Sequence, residues 1–122
     1  MNADEKEEEQ ELYRRFSESK QELVKLSSAL DGFFVKNEHP QQGHRKEYGD
    51  YLRRRIRPAM ERLIENEDVE KMQLLEELGW FGEKELEGFI KTARVHKKTA
   101  ALVWLLRLKD EKYGYKDRDF SL

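Results

Sequence analysis

Cysteine is absent from the chain, so no disulfide, thiolate nucleophile or cysteine-ligated zinc site can form, a composition compatible with a reducing compartment. Proline occurs twice and glycine seven times, and Val, Ile and Thr are scarce beside Glu, Lys, Leu and Arg. That balance disfavours strands and favours helices. No stretch approaches the ~20 consecutive apolar residues of a membrane span, and the acidic segment from Met1 to Glu11 lacks the apolar core of a signal peptide. A cytoplasmic protein that does not enter a membrane is the expectation. Net charge is only -2, so no strong overall field directs the chain to nucleic acid or to an acidic membrane.

What is present is a fold-competent composition. Charged residues make up 41% of the 122 residues, but two Trp, five Tyr and six Phe supply the bulk that disordered chains lack. The length suits one domain with one core. Charge is arranged in blocks: Glu65 to Glu87 holds nine acidic and two basic residues, and Lys91 to Arg118 holds nine basic and three acidic. Such blocks suit helix faces that attract each other across a hairpin.

The pattern predicts an all-α single domain spanning residues 1–122. Leu12, Phe16, Ser19, Leu23, Leu26 and Leu30 recur at alternating spacings of four and three, predicting one long amphipathic helix from Asp4 to Leu30, frayed over residues 1–10 and closed by Asp31 and Gly32. Residues 35–43, containing Asn37, His39, Pro40 and Gly43, read as a loop. A helix from Arg45 to Arg57 follows, then one opened by Pro58, one capped by Asp68, one from Glu83 to Val95, and a last from Thr99 to Tyr113. Gly114 stops the last helix, leaving a polar tail over 115–122.

Within residues 57–113 the chain superposes on itself with an offset of 31, which places Leu74 and Leu75 on Leu105 and Leu106. That register predicts two stacked antiparallel hairpins in which all four leucines share one core, capped by the long N-terminal helix. The run Leu74-Leu75-Glu-Glu-Leu-Gly79 resembles the second helix of degenerate ankyrin repeats, and the second hairpin is similar to ankyrin-like helical tails appended to larger bacterial proteins. The chain departs from the ankyrin pattern where Thr-Pro-Leu-His is reduced to Pro58, where Asn66-Glu67 replaces Asn-Gly, and where the long finger between repeats is missing. The resemblance implies an α-solenoid fragment that serves as a non-enzymatic binding scaffold.

Chemistry-bearing motifs are few. His39, His44 and His96 occur in no metal-ligand spacing, and there is no phosphate loop, nucleophile elbow or EF-hand loop. No catalytic centre, cofactor or metal is expected. On the last helix, Trp104 and Leu108 point away from Leu102, Val103 and Leu106, and an apolar stripe of that kind marks a protein-binding surface. Either the N-terminal helix covers it, through Phe16, Leu23, Leu26 and Leu30, or a second chain does, by self-association or as another protein. The alternative partner is nucleic acid, bound by Arg53, Arg54, Arg55 and Arg57, although successive residues on a helix point in different directions and form no single stripe.

Overall fold

The computed structural model describes residues 3–34 and 44–114, and among these all regular structure is helical. The helices are α1 (Ala3–Glu18), α2 (Glu22–Phe33), α3 (Arg45–Arg54), α4 (Ile56–Glu65), α5 (Val69–Glu77), α6 (Glu83–Val95) and α7 (Thr99–Leu108), followed by a π-helical turn, Lys109–Tyr113. No helix among the described residues is long and apolar enough to cross a membrane. The loop expected over 35–43 and the polar tail over 115–122 lie outside the described residues. The chain gathers into two compact units, Met1–Ala59 and Met60–Leu122.

In the first unit, the single helix predicted from Asp4 to Leu30 is broken into α1 and α2 at Ser19, Lys20 and Gln21. Ser19 supplies the physical reason. Its hydroxyl accepts the Gln21 N–H at 3.1 Å, offering the backbone an alternative to the helical ladder, and Gln21 turns extended with φ -89° and ψ 121°. The break lets α1 fold back onto α2 and resets the helical phase. Leu23, assigned to the buried seam by a continuous periodicity, is 71% exposed, whereas Phe16, Leu26, Ala29, Leu30 and Phe33 are buried.

The core of this unit is aromatic. Phe16 meets Tyr48 and Tyr51 edge-on, with centroids 5.1 Å away in each case, and Tyr13 stacks on His44 at 3.4 Å. Cations sit over the rings: Arg45 over Phe33 at 4.2 Å and Arg55 over Tyr51 at 4.0 Å. Gly32, expected to terminate the helix, lies inside α2, and its bare α-carbon makes room for the Tyr48 ring. Tyr48 is 2% exposed, and its hydroxyl finds no hydrogen-bond partner among the described residues.

Burial raises the Tyr48 phenol to about 12, and burial followed by the hydrogen bond to Glu22 raises Tyr51 to about 12. In the unfolded chain both ionise near their ordinary 10.0. Their contribution to stability is therefore complete below pH 10 and is lost as pH rises through the folded values, so stability should fall between about pH 10 and 12. Denaturant titrations across that window check this expectation. Tyr48→Phe should reduce the alkaline loss and be neutral or stabilising at pH 7, because it removes an unpaired hydroxyl.

The second unit holds two helix–turn–helix segments that end their first helices in the same way. In one turn the N–H groups of Asn66, Glu67 and Asp68 donate to the carbonyls of Arg62, Ile64 and Leu63; in the other, those of His96, Lys97 and Lys98 donate to Thr92, Arg94 and Ala93. Glu67 and Lys97 both adopt positive φ, 52° and 57°. The arrangement is a Schellman closure with a charged residue where glycine is common. Equivalent turn residues are 97 − 67 = 30 positions apart, which corrects the 31-residue register by one. Leu75 and Leu105 are thus the equivalent pair, and both are fully buried, while Leu74 is 47% exposed and Leu106 half-buried. Two of the four leucines expected to share a core are fully inside, and the one-residue slip explains why the other two are not.

Other boundaries follow the sequence. Asp68 caps α5, accepting the Lys71 N–H at 3.3 Å, as expected. Pro58 falls in the first turn of α4, where its missing N–H leaves no helical bond unmade, although that helix begins two residues earlier at Ile56. Gly79, with φ 75°, closes α5, and Gly114, with φ 72°, ends the turn after α7.

Candidate interaction surface

Three helices converge on the surface of interest, since α7 packs against both α5 and α6. The N-terminus of α7 has no capping side chain of its own, because Lys98 stands at the N-cap and carries only donors. Glu67 supplies the acceptor from the other hairpin, taking the N–H groups of Ala100 at 2.7 Å and Ala101 at 3.2 Å. A carboxylate there satisfies two orphan amides and meets the positive end of the helix dipole. Glu65 adds contacts to His96 and Lys98, each at 3.7 Å. An acidic turn thereby lies beside a basic one. Glu67→Ala is expected to lower stability by roughly 1 kcal/mol, the usual weight of a lost cap, and Glu67→Gln by less, as urea midpoints would show.

The far end of α7 is held as well. Lys112 pairs with Glu76 of α5, which raises the Lys112 ammonium above its ordinary value, chiefly through that hydrogen bond, and Lys109 reaches Glu87 of α6 at 3.0 Å. These contacts fix which edge of α7 looks toward α5. Ala101, whose amide is held by Glu67, is fully buried, and Trp104 and Leu108 continue the same edge three and seven residues on. Both predicted protein-binding residues are half-buried.

With the corrected register, Lys71, Leu74 and Leu78 occupy the equivalent edge of α5. Leu74 and Leu78 are 47% and 48% exposed, and Val103, on the opposite flank of α7, is 44% exposed. Sequence reasoning assigned Leu74 to the core and so missed this apolar surface. Alignment on the two turns, with Asn66-Glu67-Asp68 over His96-Lys97-Lys98, carries the signal that alignment on paired leucines obscures.

Phe16 packs on Tyr48 and Tyr51, Leu26 and Leu30 are buried in the first unit, and Leu23 faces solvent.

The four arginines divide between elements. Arg53 and Arg54 are exposed in the last turn of α3, and Arg57 is exposed in α4. Arg55, in the bend between them, donates to Glu22 at 2.7 Å, and Tyr51 donates to the same carboxylate at 2.8 Å. The Tyr51 hydrogen bond first, then that of Arg55, holds the Glu22 carboxyl below its ordinary value. One of the four cations is thus committed within its own unit.

His44 stacks on Tyr13, His96 faces Glu65, and His39 lies outside the described residues. Among the described residues no three His, Asp or Glu side chains are placed to hold a metal ion. No family model, curated protein or solved structure matches the chain.

Proposed function

We propose that the chain is a non-enzymatic protein-interaction module, built on two ankyrin-like helical hairpins stacked side by side with the N-terminal helices as a cap. The observation that carries the reading is the apolar side chains left in solvent on α5 and α7: Leu74 and Leu78 along one edge of α5, and Val103 on the flank of α7 opposite half-buried Trp104 and Leu108. Apolar side chains repeated at equivalent positions of two hairpins suit the docking of another helix. The Glu67 cap and the Glu65 contacts support the stacking, because they join one hairpin turn to the other.

The test is binding by the intact chain with and without Leu78→Asp or Trp104→Gln, each variant first shown by circular dichroism to keep its helices. A protein partner retained by the wild type should be lost from both variants and kept by an Arg53→Glu, Arg54→Glu variant. Retention by all three would remove the surface from the function. The alternative, nucleic-acid binding through Arg53, Arg54, Arg55 and Arg57, is less supported because Arg55 is tied to Glu22 and Tyr51. It predicts affinity that falls steeply with salt, whereas an apolar contact changes little.

A further inference from the structure

The two hairpins of the second unit expose opposite edges, and their charges are exchanged. The Leu74 edge of α5 is open, the Val103 edge of α7 is open, and the junction between the hairpins shows what covers such edges: the second helix of a neighbouring hairpin. At that junction the acidic turn meets a basic one: Glu67 accepts the Ala100 and Ala101 N–H groups, and the N-cap residue Lys98 pairs with Glu65 at 3.7 Å. Thirty residues on, the turn position of Glu67 is Lys97; thirty residues back, the N-cap position of Lys98 is Asp68. The signs are reversed at both positions, so opposite charges would meet again if the open edge of α7 met the open edge of another α5.

The helices follow suit. Exposed Glu70 and Glu77 flank Leu74 on α5, while α7 carries Arg107 next to Val103's flank and no carboxylate. Leu74 and Leu78 are about half exposed.

From these observations, and resting on the reading of the chain as an interaction module, we propose that the occupant of the Leu74–Leu78 edge is α7 of a second copy, presenting Val103, Arg107 and Lys97. The contact is head to tail: each copy uses two different surfaces, so association is open-ended and does not stop at a dimer. Lys97 pairs with Asp68 of the next copy, Arg107 with Glu77, and Val103 packs against Leu74.

Sedimentation of the intact chain over a concentration series tests the proposal. The wild type should form species that grow with concentration beyond a dimer and shrink with added salt. Leu74→Asp with Leu78→Asp blocks one edge, and Val103→Asp blocks the other, so each variant should run as a monomer. A mixture of the two should restore a dimer and nothing larger, because each retains the edge the other has lost. Helical signal and urea midpoint, measured on each variant, distinguish a blocked edge from an unfolded chain, and Lys97→Glu, an exposed change in a turn, should weaken assembly without touching the apolar side chains. A wild type that stays monomeric up to millimolar concentration overturns the proposal, and so does a variant mixture that fails to associate while the wild type dimerises. Either result leaves the interaction-module reading standing if another protein still binds through Leu78 and Trp104; loss of that binding is the separate failure of the module.

Discussion

Replacing Leu75 or Leu105 with alanine should destabilise the protein by roughly 2–5 kcal/mol, whereas Leu74→Ala should change stability by no more than about 1 kcal/mol. Both Leu75 and Leu105 are fully buried, so truncation removes the transfer energy of their methyl and methylene groups and opens a cavity that close-packed neighbours fill only in part. Leu74, 47% exposed, leaves no closed void behind. The comparison also decides the register of the hairpins. An offset of 31 makes Leu74 the counterpart of Leu105 and predicts equal losses; an offset of 30 makes Leu75 the counterpart and predicts a large difference. Urea denaturation of the three variants, with a common m-value, provides the measurement.

The helical class and most boundaries were legible because they depend on local chemistry. Asp68 and Gly79 act where they stand in the chain, and the scarcity of β-branched residues removes the competing state. What the sequence left hidden depends on single atoms or on distant partners. The Ser19 hydroxyl competes for one amide and so breaks a helix whose apolar spacing is continuous. Charged residues close both hairpins in the left-handed region, and Glu67 and Lys97 give no compositional sign of it. Without those turns as anchors, the eye aligns on paired leucines, and a slip of one residue rotates a helix by about 100 degrees and turns Leu74 from outside to inside.

The same distinction holds for the candidate surface. Trp104 and Leu108 were identified from their four-residue spacing, which is a property of one helix. Leu74 and Leu78 are recognised as their counterparts on α5 only through the equivalence of two hairpins, and Glu67 becomes the cap of α7 only when the turns lie side by side. The arginine cluster shows the converse. Four basic residues within five positions are conspicuous as sequence, yet Arg55 is engaged by Glu22 and Tyr51, partners 33 and 4 positions away.

Gly32→Ala should be among the most damaging single changes in the first unit, costing roughly 1–3 kcal/mol even though alanine is the better helix former. A β-carbon at position 32 would overlap the Tyr48 ring at Cε2, Cζ and Cδ2, and that ring is 2% exposed, with Phe16 against it at 5.1 Å. Ring and helix would have to separate, loosening the aromatic core that joins α1, α2 and α3. Gly88 provides the control, since it lies inside α6, is exposed, and has nothing within 4 Å of the place a β-carbon would occupy. There the same substitution should raise stability by about 0.5–1 kcal/mol, the difference in helix propensity alone. Tyr48→Phe cannot relieve the Gly32→Ala variant, because the overlap is with ring carbons; Tyr48→Leu, smaller at those atoms, should recover part of the loss in the double variant while being destabilising on its own. Urea midpoints for the single and double variants give the coupling between the two positions. A Gly32→Ala protein as stable as the Gly88→Ala protein would mean that Tyr48 does not occupy the space over Gly32.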